Sequence, residues 1–422
     1  MKITHIIGRE IFDSRGFPAL ECEIILDDHL SVYSSVASGA SRSSYEAHEL
    51  RDGGKRLMGF GLTQAIGNIE RVIAPLFVGK EPNAVQADLE MVEIDGTDDK
   101  SKLGANTILA VSKAMYKAQT QVYGMDLFQL IAHLCSFKSI LLPRPFFNII
   151  NGGIHAQNNL AIQEFMIVPL GAHDFRSAFE SSVTVFYELK KLLYQYNKIT
   201  SVGDEGGFAP FFTSQTEPLD FIMKAIEQVS TQLGISHDYF ALALDVASTQ
   251  FFNNQTGTYV IENKNYTSEE LISWYEELIN SYPICSIEDG LSENDWAGWQ
   301  LMTKSLGSRI QLVGDDIFAT NKNRIIQGME SGIANTVLIK LNQVGTVTEA
   351  IQALRLCQEN QYNVMVSHRS GETEDTFIAD FAVGACAGQI KAGGCSRSER
   401  VAKYNRLLRI EDLLTSSLLN SE

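Results

Sequence analysis

The sequence predicts an α/β protein in two parts, an N-terminal α+β domain over residues 1–135 and a (β/α)8 barrel over residues 136–422. A chain of 422 residues exceeds what one hydrophobic core usually supports, so two units are expected. The first third reads as strands followed by helices. Past "LLPRPFFNII" short apolar strands alternate with amphipathic helices, and six of these strands end on charged side chains at an interval close to one βα unit.

In the first part, Leu20, Cys22, Ile24 and Leu26 alternate with Glu21 and Glu23, the pattern of a half-buried strand. Asp27-Asp28-His29 is a turn into a second alternating stretch through Leu30, Val32 and Val36, which makes an antiparallel hairpin. Ile66, Ile69, Ile73 and Leu76 then recur at helical spacing, as do Ile108, Val111 and Met115. In the second part, Asp174 is placed to cap a helix through Phe175, Phe179, Val183, Phe186 and Leu193. Leu219, Ile222, Ile226 and Val229 line another, and Thr267 with Glu270 forms a capping box for a third.

The strand ends are Asp245, Glu288, Asp315, Lys340, Arg369 and Lys391. A β/α barrel opens all of them on one face, where such folds keep their active sites. An acid at one strand end often only caps a helix. Asp245, Glu288 and Asp315 together, with nothing expected between them, repel one another and need a cation or protons. Oxygen ligands without His or Cys favour Mg²⁺. Lys340, Arg369 and Lys391 follow around the ring, and the Arg369 fork beside Ser370 suits a phosphate or carboxylate. Lys340 acts as a base only when neutral, so a pKa depressed by its cationic neighbours is expected. "INGGIHAQNNLAIQEF" adds His155, Gln163 and Glu164, and the Gly-flanked "SVGDEGGFAP" adds Asp204 and Glu205. A base facing an acid that can protonate a leaving hydroxyl is what an elimination requires.

Composition narrows the partners. Thirty-four Lys and Arg against 51 Asp and Glu leave a formal charge of -17, which disfavours nucleic acid or an anionic membrane as principal partner. The six cysteines show no C-x-x-C spacing and read as reduced packing residues. The start, "MKITHIIGRE", meets Arg9 and Glu10 before a signal-type apolar run could form, so a cytoplasmic protein without membrane insertion is expected.

The ordered motifs "SGAS", "NIINGG", "QEFMI", "GDEGGFAP", "SIEDGL", "GDDIF", "LIKLNQVGT", "SHRSGETED" and "QIK" closely resemble the enolase family (phosphopyruvate hydratases), in its bacterial type. The resemblance runs from "FDSRGFP" near residue 12 to "RLLRIE" near 411. It implies a barrel with irregular, antiparallel first strands and a homodimer or assembly of dimers. It also implies reversible, Mg²⁺-dependent dehydration of 2-phosphoglycerate to phosphoenolpyruvate in glycolysis and gluconeogenesis, with an additional cell-surface or secreted fraction known among relatives. Residue by residue, it makes Lys340 the base and Glu205 the acid, with Glu164 and His155 assisting. Asp245, Glu288 and Asp315 would hold one Mg²⁺, and Ser41 would join a second that arrives with substrate. Gln163, Lys391, Arg369 and Ser370 would bind substrate. A sugar-acid dehydratase or racemase of the same superfamily, or an idle barrel serving as a binding protein, is the competing reading. The chain departs from the family at Arg42-Ser43, where Thr-Gly is usual. A cation and a lost glycine beside Ser41 predict a more restricted loop that opposes the second ion.

Overall fold

Alternating apolar residues along Pro18–Leu26 (β2) and Leu30–Val36 (β3) pair antiparallel, with Leu26 opposite Leu30. Asp27 and Asp28 turn the chain at φ 48° and 60°, a left-handed pair of the kind that hairpins with two-residue loops favour. A third strand, Ile3–Phe12 (β1), completes a sheet in the order β1-β2-β3. It was not among the predicted elements, because a register shift between Ile3 and His5 breaks the alternation that would have marked it. Cys22, Ile24 and Leu26 are buried, and the sheet packs against the helix Ala105–Tyr123, whose Ile108, Val111 and Met115 face the core as their spacing predicts. The segment predicted as one helix around Ile69 instead runs Thr63–Asn68, a π-helical Ile69–Ile73 and Ala74–Phe77. The wider turn keeps Ile69 and Ile73 both fully buried.

The computed structural model describes residues 1–40, 42–137, 140–262 and 264–419. Among these, eight strands close a barrel: Arg144–Asn151 (β4), Glu164–Pro169 (β5), Phe240–Asp245 (β6), Ile284–Glu288 (β7), Gln311–Gly314 (β8), Thr336–Ile339 (β9), Asn363–Ser367 (β10) and Gly388–Lys391 (β11). They neighbour one another in chain order, and β11 returns to β4. Only β5 is antiparallel to its neighbours. Its reversal has a direct consequence for the mouth: Glu164, the first residue of β5, pairs with Asn151 and Asp245, the last residues of β4 and β6. Phe146, Met166, Val168, Ala243, Val313, Leu338 and Met365 fill the interior, so the barrel is a packed core and not a pore.

Helices cover the outside. Asp174 caps Phe175–Gln195 by accepting from Ser177 N at 2.7 Å, and Thr267 with Glu270 forms the predicted box on Ser268–Ser281. On the first of these helices Val185 and Leu189 are fully buried while Val183 lies half-buried, so the apolar stripe is rotated from the expected one. Among the described residues no helix is long and apolar enough to cross a membrane. All six cysteines are free thiols.

The N-terminal sheet and helix dock on the loop after β10. Asp375 lies 3.1 Å from Lys113 Nζ and 2.8 Å from Lys117 Nζ, and accepts from Ser34 Oγ at 2.9 Å. Burial alone would raise this carboxyl, yet the two lysines hold it well below the usual range.

Candidate active site

The strand ends meet as expected. One cleft at the C-terminal mouth is lined by Asp245, Asp315, Lys340, Arg369, Ser370 and Lys391 together with His155, Gln163, Glu164 and Glu205. Each parallel strand delivers its last residue, or the one or two beyond it, to this end, and β5 delivers its first.

Asp245 and Glu288 were expected to face each other with nothing between them, but Lys391 stands there. Its Nζ donates to Glu288 Oε1 at 2.7 Å, Asp245 Oδ2 at 3.1 Å and Glu164 Oε1 at 3.3 Å. Burial would lower the Lys391 pKa, but the surrounding carboxylates raise it well above the ordinary lysine value. Burial and then the Asp245 charge push Glu288 well above the usual carboxyl range, although Lys391 pulls against them.

Asp315 gathers with two acids that were read only as part of "SIED" and "GDD". Ligand atoms of Asp289, Asp315 and Asp316 all lie within 4.8 Å of one another. Asp289 turns back at φ 44° and accepts the backbone N–H groups of Asp315 at 2.9 Å and Asp316 at 3.0 Å. Burial, then the Asp315 charge, lifts Asp316 to about 8. Buried oxygen ligands that repel one another this strongly suit a hard divalent cation. Of the expected triad, Asp315 belongs to this cluster while Asp245 and Glu288 are bonded to Lys391, so the residues that fit a metal as they stand are Asp289, Asp315 and Asp316.

Among the residues present the Lys340 pKa is raised, whereas the depression expected for it included Mg²⁺ alongside Lys391 and Arg369. Lys340 donates to Asp315 Oδ2, whose partner oxygen accepts from Gln343 Nε2 at 2.9 Å. Burial disfavours the lysine charge, but the adjacent Asp315 outweighs it and the net shift is upward. Asp315 moves reciprocally: burial raises it, Lys340 and Lys391 lower it, and it ends below its ordinary value.

In the same cleft Glu205 Oε2 accepts from Asn148 Nδ2 at 3.0 Å and lies 3.4 Å from His155 Nδ1 and 3.7 Å from His368 Nε2. Burial would raise Glu205, but the two imidazoles hold it well below the carboxyl range. Glu164 goes the other way, driven first by burial and then by the Glu205 charge. The two carboxyls oppose each other's charge, so Glu164 shifts up while Glu205 shifts down. Gln163 Oε1 and Glu164 Oε2 are buried without a hydrogen-bond partner among the described residues, a reserve of acceptors facing the cleft.

Arg369 Nη1 lies 3.0 Å from Glu46 Oε2, and Ser370 Oγ accepts from Ala40 N at 2.6 Å. Gly371 follows Ser370 directly. Its φ is not positive; a Cβ there would fall 2.1 Å from Asp13 Oδ2, so the requirement is close approach to the N-terminal domain. Glu372 pairs with Lys403 at 2.8 Å, and Asp375 pairs with the two lysines above, as supports of this loop. Ser41 lies outside the described residues. Arg42 engages Glu49, so its charge is answered locally. Arg400 lies in the first turn of the helix Ser398–Leu419 and belongs to no motif that marked it in the sequence. Fully buried, it donates to the carbonyls of Arg369 at 2.7 Å, Ser370 at 2.6 Å and Asp204 at 3.0 Å, and so ties the loops of Asp204 and Arg369 together.

Such a cleft, in which lysines and acids are bonded together, suits proton removal at one carbon and protonation of a leaving group at the next. Family models agree with the architecture: that of the enolase N-terminal domain matches residues 3–131, and that of the enolase C-terminal TIM barrel domain matches residues 139–420. The chain therefore belongs to the enolase family and is a lyase of the enolase type, adding or removing water.

Proposed function

We propose that the chain catalyses the reversible dehydration of 2-phospho-D-glycerate to phosphoenolpyruvate. One observation carries this reading: Lys340 and Glu205 line one cleft together with Arg369 and Ser370. Lys340 takes the C2 proton, Glu205 gives a proton to the C3 hydroxyl, and that oxygen leaves as water, so one proton is lost and one gained. Arg369 and Ser370 bind the phosphate. Lys391 faces the substrate carboxylate, and the buried acceptors of Gln163 and Glu164 with His155 order the hydroxyl end.

Asp315 is the group that keeps Lys340 protonated, so Lys340 becomes a base when the negative charge of Asp315 is neutralised by another partner. Glu205 must take up a proton before it can donate one, because its neighbours hold it below the usual carboxyl range. Asp245, Glu288 and Asp315 would hold Mg²⁺, with Asp289 and Asp316 beside it; a second Mg²⁺ would arrive with substrate at Ser41. When bound, Mg²⁺ supplies positive charge that stabilises the electrons gathering on the substrate carboxylate. The same reading gives a cytoplasmic homodimer or assembly of dimers acting in glycolysis and gluconeogenesis, supported by the family to which the chain belongs.

The test is the ultraviolet absorbance of phosphoenolpyruvate formed from 2-phosphoglycerate in the presence of Mg²⁺. Absence of product, with dehydration of an unphosphorylated sugar acid instead, overturns the substrate assignment.

A further inference from the structure

The chain after β3 crosses the barrel mouth, and a buried carboxylate on the opposite side holds it. Glu293, beyond the end of β7, is 7% exposed and accepts from two successive hydroxyls: Ser43 Oγ at 2.5 Å to Oε2, and Ser44 Oγ at 2.7 Å to Oε1. Ser43 Oγ also lies 2.9 Å from the Asp316 carbonyl oxygen, but its single proton favours the charged acceptor. One residue further on, the Tyr45 ring stacks 3.4 Å from the Arg324 guanidinium, which in turn lies 5.3 Å from the Trp296 ring. Arg324 Nη2 reaches back to the Glu293 carbonyl at 3.4 Å, joining both anchors.

The far side of the same crossing touches the anion clamp. Ala40 N donates to Ser370 Oγ, Glu46 meets Arg369, and Ser38 and Gly371 exchange two backbone hydrogen bonds of 3.1 and 2.9 Å. Held at Glu293, the crossing has little freedom to move at Ser370. We propose that Ser43, Ser44 and Tyr45 form a latch closing on Glu293 and Arg324, and that this latch positions Ala40 and Glu46 against Ser370 and Arg369. These are positioning residues, since none of the latch groups faces the cleft. The latch itself is independent of the reaction; its effect on substrate rests on Arg369 and Ser370 being the phosphate ligands.

Hydrogen–deuterium exchange of the full chain without substrate tests the latch. In Ser43→Ala/Ser44→Ala, amides of residues 42–47 should exchange at least about tenfold faster than in the parent, which corresponds to ~1.4 kcal/mol. Peptides from β6 and β10 should be unchanged, which reports intact folding. Glu293→Gln, which keeps an acceptor, should give a smaller acceleration than Glu293→Ala. Unchanged exchange of 42–47 in the double variant overturns the latch. In the second arm, KM for 2-phosphoglycerate should rise several-fold in the double variant while kcat stays within about twofold. Faster exchange with an unchanged KM refutes the positioning of the anion clamp. A parent inactive on 2-phosphoglycerate refutes the substrate assignment and leaves the exchange result standing.

Discussion

Lys391 Nζ sits 2.7 Å from Glu288 Oε1, with neither side chain more than 3% exposed. Removing one member of a buried ion pair leaves the other uncompensated, at roughly 3–5 kcal/mol. Lys391→Met in chelator should therefore unfold at a lower urea concentration than the parent. Glu288 is an acid whose folded pKa is raised, so the folded state binds the extra proton and stability is lost as pH rises through that pKa. The variant should accordingly regain stability as pH falls towards 5. Equal midpoints for variant and parent at neutral pH would remove the internal-cation role.

Lys340→Ala should cut exchange of the C2 hydrogen with solvent by about 10²–10⁴-fold, the range for a general base. Glu205→Gln should block dehydration but leave C2 exchange measurable. Isotope exchange monitored by NMR separates the two; wild-type exchange in Lys340→Ala assigns the base elsewhere.

Turnover should vanish after exhaustive chelation and return with Mg²⁺. Mg²⁺ alone should also stabilise the fold, by about 2.7 kcal/mol at a hundred times its Kd, because it binds the folded carboxylates and not the unfolded chain. A thermal midpoint indifferent to Mg²⁺ contradicts a resident metal site among these acids.

Asp375 supplies the clearest pH signature. Its folded pKa is depressed by Lys113 and Lys117 against burial, so its stabilisation is fully present above the unfolded value and lost as pH falls through the folded one. Asp375→Asn should destabilise the protein at pH 7 by roughly 3 kcal/mol and flatten the acid limb of the stability curve. Denaturant melts between pH 3 and 7 check both effects.

Arg42→Thr should leave the Mg²⁺ titration of activity close to that of the parent, because Glu49 already answers the Arg42 charge. A marked fall in the Mg²⁺ requirement would restore the view of Arg42 as a cation opposing the ion.

The strand ends were legible because barrel geometry turns a one-dimensional interval into a shared face: Asp245, Glu288, Lys340 and Lys391 needed no further information. What the residues did to one another was not legible. Lys391 enters between acids 103 and 146 residues away, and the Asp315 charge favours protonated Lys340 where cations were expected to disfavour it. Asp289 was hidden because only its left-handed backbone aims it at the amides of Asp315 and Asp316. Strand β1 was missed through a bulge, and Arg400 through its place in an ordinary helical stretch.

The docking of Asp375 also bears on the order in which the molecule assembles. Its bonds to Ser34 and Lys117 close chain loops of 341 and 258 residues, and Arg400 bonds to Asp204 across 196 residues. Contacts of such separation are reached only after the elements they connect have formed. The barrel ring can therefore close while its rim is still unshaped, and during refolding the recovery of catalysis should trail the recovery of the packed core.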